Sequence, residues 1–144
     1  MKVLSYSWLL AICLLLGLTS VHAADFEADH KLVIQINKQD PDLYGHVLSN
    51  INNLHKHYGV DNLQVEVVAY GPGIWMLTED SPVKERIAAL QLVDVVFTAC
   101  LNTLDTIERD SGTRPVLLED IEEFQAGIAR IIELQEAGYS YLSP

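Results

Sequence analysis

The hydrophobic positions of this chain alternate between short continuous runs and stripes of helical spacing. Lys31-Leu32-Val33-Ile34-Gln35-Ile36-Asn37 and Val65-Glu66-Val67-Val68-Ala69-Tyr70 are branched, largely apolar runs of strand length, and Val95 to Cys100 begins a third. Such runs suit strands buried on both faces of a parallel sheet. Between the first two, Leu43, Val47, Ile51, Leu54 and Tyr58 recur every three or four residues. That spacing predicts an amphipathic helix, with Asp40 as N-cap, Pro41 as its first residue and Gly59 as its stop. Ser81-Pro82 opens a second helix, with Val83, Ile87 and Leu90 inward and Lys84, Glu85 and Arg86 outward. Leu101 to Asp110 predicts a third helix ending near Gly112, and Ile128, Ile131, Ile132 and Gln135 a fourth, stopped by Gly138 before an extended Tyr139 to Leu142. Around residue 120 the pattern is divided. Asp120 and Glu123 form a helix capping box, whereas Ile121 to Phe124 has the make-up of a short strand, with the helix then starting at Gln125 or Ala126. Strands alternating with helices predict an α/β fold with right-handed crossovers, a mostly parallel sheet and helices on both faces.

The first residues do not join this pattern. Lys2 precedes an unbroken run of apolar residues and glycine from Trp8 to Leu18, and Val21-His22-Ala23 has the small residues of a cleavage site. This is the layout of an export signal, with the cut expected after Ala23. The run is short for a membrane span, which needs about 20 apolar residues, so a soluble periplasmic or secreted protein is expected. Cys13 goes with the signal; Ile12 is too bulky for a lipoprotein cleavage site. The remaining 121 residues are of a size for one domain, residues 24–144. No repeat, linker or low-complexity segment divides them.

Charge and cysteine count narrow the chemistry. The net charge of −11 becomes −12 once Lys2 is removed, which argues against nucleic acid or an anionic membrane as partner, since either needs a basic face. One cysteine, Cys100, remains after cleavage, so no internal disulfide is expected. His55 and His57, two apart on a helix, point in divergent directions and cannot share a metal. His30 and His46 lie apart from them, and all four read as solvated, so neither metal nor cofactor is expected. Glu119-Asp120-Glu122-Glu123 lacks the alternating ligands and glycine of a calcium loop. There is no Gly-x-Ser-x-Gly elbow, no Cys-x-x-Cys pair and no phosphate loop. Gly71-Pro72-Gly73 marks a tight turn where backbone approaches a ligand or a neighbouring element.

Cys100 is then the residue with specific chemistry to offer. It ends a predicted strand, at the carboxyl end where ligands collect in parallel sheets. Asn102 or Thr103 as N-cap of the following helix would place the sulfur near the positive end of a helix dipole, which favours thiolate. The alternative is a small apolar residue filling a strand end.

Several stretches together resemble the DsrE/DsrF-like family of small α/β proteins. They are Val67 to Gly73 with Leu77 and Ser81-Pro82, then Ile87 and Leu90, Phe97 to Leu104, Gly127, Leu134 to Leu142, and Pro144. The resemblance implies a flavodoxin-like fold of about five strands, a strand at Ile121 to Phe124, and a trimeric or hexameric homo-oligomer. It also implies a sulfur relay in which Cys100 carries sulfane sulfur as a persulfide and passes it to the thiol of an acceptor protein. This would be a carrier more than a multiple-turnover enzyme. Asn102, Thr103 or backbone N–H groups would stabilise the anion, and Tyr70, Gly71, Gly73, Trp75 and Arg114 would line or complete the site. Packing for the two aromatic residues, and a surface ion pair for Arg114, are the competing readings. So is a binding or assembly module in which Cys100 is structural and Gly71 to Leu77 holds a small ligand. Relatives in such relays work in the reducing cytosol, from which the export signal departs.

Overall fold

The computed structural model describes residues 28–144. The expected signal at 1–23, with Cys13 and the cut after Ala23, lies outside the described residues. Five strands form one parallel sheet: β1 (His30–Ile36), β2 (Leu63–Ala69), β3 (Val96–Cys100), β4 (Glu122–Phe124) and β5 (Ser140–Leu142), in the order β4-β3-β2-β1-β5. Four helices connect them: α1 (Pro41–Tyr58), α2 (Lys84–Gln91), α3 (Leu101–Ser111) and α4 (Gly127–Glu136). The result is an α/β fold of three layers in a flavodoxin-like arrangement.

Strand order explains the layers. From β1 to β4 the chain steps across the sheet in one direction, so crossovers of one hand bring α1, α2 and α3 to the same face. The step from β4 to β5 runs the other way and brings α4 to the opposite face. Packing follows this division. Ile34, Ile36, Val65, Val67, Phe97 and Ala99 meet Tyr44, Val47, Leu48, Ile51, Ile87 and Leu104 in the main core. Val33 and Val68 meet Ile131 and Leu134 in a smaller one under α4.

Local signals set the element ends. Asp40 caps α1, its Oδ1 accepting from the N–H groups of Asp42 at 3.0 Å and Leu43 at 3.2 Å, and Gly59 closes the helix by donating to His55 O. Gly112, at φ 77°, ends α3. Residues 122–124 pair with β3 as a strand, and α4 begins at Gly127. The capping box at Asp120 gives way because the free edge of β3 offers these residues a ladder. Ser81-Pro82 makes a turn ahead of α2, which starts at Lys84. Trp75, Met76 and Leu77 lie in 3-10 turns spanning Gly71–Leu77 and cover the main core.

The buried stripe of α1 is Tyr44, Val47, Leu48, Ile51 and His55, with Tyr58 exposed. His55 therefore is not solvated: only 8% of it is exposed, and Nε2 has no hydrogen-bond partner. Burial lowers its pKa from the ordinary 6.5. As pH falls below 6.5 the unfolded chain takes up a proton that the folded chain resists, so stability declines on that side. His55→Leu removes this contribution. Urea midpoints at about pH 7.5 and about pH 5.5 are expected to fall further apart in the wild type than in the variant.

Candidate functional site

Cys100 is the last residue of β3, and α3 starts immediately after it at Leu101. Neither Asn102 nor Thr103 is the N-cap; both lie inside the first turn, and their side chains are engaged elsewhere. Thr103 Oγ1 accepts the N–H of Gly71 at 2.9 Å, and Asn102 Oδ1 accepts from Gln125 Nε2 at 2.7 Å. The helix start that meets the sulfur is that of α4, since side chains alternate along β3 and Cys100, like Thr98, faces the α4 side. The N–H of Gly127 donates to Cys100 Sγ at 3.2 Å, and Sγ lies 3.8 Å from the Gln125 carbonyl oxygen, where a protonated thiol donates. The sulfur thus has an acceptor for its proton and a donor for its charge. Only 5% of Cys100 is exposed.

The approach of α4 is close. A Cβ on Gly127 would stand 3.2 Å from Cys100 Cβ, 3.3 Å from Tyr70 Cβ and 3.4 Å from Val68 Cγ1. Gln125 ties this roof to α3 as well: its carbonyl accepts from the N–H of Asn102 at 3.1 Å while its side chain meets Asn102 Oδ1. Beneath the first turn of α4 lies a charge cluster built on a buried carboxylate. Glu66, 3% exposed, accepts from Thr98 Oγ1 at 2.6 Å and from Arg130 Nε and Nη2, both at 2.8 Å. The hydrogen bonds to Glu66 are the main reason that the Arg130 guanidinium holds its proton more strongly than usual.

The structure divides the other predicted residues. Gly71, Trp75, Asn102 and Thr103, with Gln39, Pro72, Thr106 and Ile107, line a groove of about 440 Å³ on the α1–α3 side of the same sheet end. Cys100 does not line it. Tyr70 is half-buried beside Gly127 and accepts from Asn37 Nδ2 at 3.5 Å. Gly73 is buried under the groove, against the backbone of Ile36, so the predicted close approach is to a neighbouring strand. Arg114 belongs to neither place: it pairs with Asp105 at 2.6 Å and Glu108 at 3.1 Å on exposed α3. Among the described residues no three of His, Cys, Asp and Glu converge as metal ligands, and no helix is long and apolar enough to cross a membrane.

Sequence reasoning missed Gln125, Glu66 and Arg130, and reached Gly127 through resemblance alone. Glu66 had a signal: a carboxylate inside an apolar strand needs a buried partner. Nothing in the sequence singled out Arg130 as that partner.

No family model matches the chain, and no curated protein matches it. Among solved structures it is similar to a protein of unknown function, MTH1491, from Methanobacterium thermoautotrophicum. The two share 32% identity at a TM-score of 0.71, over 81% of this chain and 100% of that one.

Proposed function

Since the chain belongs to one family with MTH1491, itself of unknown function, kinship brings no activity, and we propose from the site that this is a sulfane-sulfur carrier working through Cys100. The observation that carries the reading is the pair of contacts at the sulfur, the Gly127 N–H at 3.2 Å and the Gln125 carbonyl at 3.8 Å. Backbone N–H groups at a helix start are suited to holding an anion. The DsrE/DsrF-like resemblance, with Cys100 at the position of the relay cysteine, supports the same reading.

The chemistry is thiol exchange between sulfur atoms. The Cys100 thiolate attacks the outer sulfur of a donor persulfide, a new S–S bond forms at Sγ, the donor's S–S bond breaks, and the donor leaves as a thiolate. An acceptor thiolate then attacks the terminal sulfur, regenerating the Cys100 thiolate and leaving the acceptor as the persulfide. No net oxidation occurs in either step. In this reading the protein is exported, cut after Ala23, and self-associates. The exposed Ile128 and Ile132 on the outer side of α4 support an apolar contact between copies.

The test is the intact mass of the native protein after exposure to inorganic polysulfide, with Cys100→Ser beside it. Gain of sulfur by the wild type, reversed by a thiol reductant and absent from the variant, is expected. No gain, with Cys100 resisting an alkylating reagent until denaturation, would overturn the carrier reading. A second reading would then stand, favoured by the groove beside Trp75, Asn102 and Thr103 and by the burial of Cys100: a module that binds a small ligand without covalent chemistry.

A further inference from the structure

The sulfur contact depends on where the first turn of α4 lies, and one charged side chain of that turn, Arg130, reaches back to the sheet. Arg130 closes the turn through its own N–H, which donates to Ala126 O at 3.1 Å. Its guanidinium reaches past the turn to the sheet and holds both oxygens of Glu66. Glu66 is fixed in return by the hydroxyl of Thr98, on the same face of β3 as Cys100 and two residues before it. A planar fork on a carboxylate sets angle as well as distance. Burying such a pair is costly, and an apolar contact would hold a helix to a sheet at least as well. What the pair adds over apolar packing is a defined orientation.

We infer that Glu66 and Arg130 are positioning residues for Cys100: by fixing the first turn of α4 on the sheet they keep the Gly127 N–H aimed at the sulfur. The inference deepens the sulfur-carrier reading and takes its purpose from it. The hydrogen-bond partners of Sγ are Gly127 and Gln125, not this pair. Charged and titratable groups on the layers around the sulfur are Lys31 from β1, Glu66 from β2 with Tyr70 just beyond its end, Glu122 from β4, Arg130 and Glu133 from α4, and Tyr139 after it, whose ring lies under Lys31. Asp105 of α3 is turned to Arg114.

The pair's own charges offer a competing cause, and two variants separate them. Glu66→Gln removes a negative charge and Arg130→Gln a positive one, so a field effect would move the protonation of Cys100 in opposite directions. Loss of the anchor would move it one way in both, because a hydrogen bond to the charged form favours that form. The measurement is the pH titration of the Cys100 13Cβ resonance in the full folded domain, which needs no reagent access, with the Gly127 amide resonance followed alongside. Expected is a midpoint at higher pH than wild type in both variants. Arg130→Lys, which keeps the charge but not the fork, should fall between, and keeps the test open if a Gln variant fails to fold. Midpoints that move in opposite directions, or an unmoved Gly127 amide in folded variants, would overturn the inference. Polysulfide loading of the wild type stays a separate readout. Loading with unmoved midpoints defeats the positioning role alone; midpoints that shift together without loading defeat the carrier reading alone.

Discussion

Gly73→Ala is expected to lower the free energy of unfolding by about 3 to 5 kcal/mol, in the range reserved for severe steric conflict. A Cβ at position 73 would overlap the Ile36 carbonyl oxygen and lie 2.5 Å from its carbon and 2.8 Å from the Asn37 nitrogen. These are main-chain atoms at the end of β1, a strand paired on both sides by β2 and β5. They cannot swing aside as the tip of a side chain would. Relief must come from lifting the Gly71–Leu77 turns, which carry the buried Ile74, Met76 and Leu77. Urea unfolding reads the loss as a lower midpoint with an unchanged slope. Gly71→Ala is the control: no atom lies within 4 Å of its added Cβ, but φ is +52°, so the cost is that of left-handed backbone, about 1 kcal/mol. Equal losses in the two variants would show that close approach does not set the cost.

Arg130→Met is expected to cost about 3 kcal/mol, because it leaves the Glu66 carboxylate buried with only the Thr98 hydroxyl for company. The guanidinium is about a third exposed, 33%, so its own desolvation is a small part of that figure. The cost arises at Glu66. Replacing the whole cluster, Glu66→Met with Thr98→Val and Arg130→Met, should recover most of the loss, since an apolar set of similar volume has nothing left unpaired. Urea midpoints of wild type, single and triple variants decide it. A triple variant no more stable than the single one would mean that apolar replacement does not substitute for the ionic cluster. If the triple variant recovers stability yet loses the alignment at Gly127, the two roles of the cluster come apart in one molecule.

Much of the fold was legible because its signals are local. The branched runs of β1 and β2 and the Asp40-Pro41 start and Gly59 stop of α1 each depend on a few adjacent residues. The parts that were not legible depend on encounters across the chain. Residues 121–124 carry both helix and strand signals, with local propensity on the side of the helix, and the open edge of β3 decides for the strand. His55 reads as polar by type, but its place one turn past Ile51 puts it in the core. The site shows the same contrast. Cys100 at a strand end could be read from pattern, whereas its hydrogen-bond partners lie 25 and 27 residues away, and Glu66 and Arg130 are separated by 64. Asn102 or Thr103 is a cap candidate by its chemistry. Their side chains meet Gln125 and Gly71, partners that a local reading cannot supply. Arg114 was drawn toward the site by resemblance; Asp105 and Glu108, close in sequence on α3, were the nearer partners.

The single reversal of direction in the sheet also sets the order in which the molecule can be completed. Everything from β1 to α3 is assembled from the chain up to Ser111, while the roof over Cys100 comes from residues 125–136 and the neighbour on the far side of β1 from Ser140–Leu142. A chain emerging N-terminus first releases Cys100 before the residues that cover it. The thiol is therefore open to oxidants until a segment 25 or more residues downstream has docked over it.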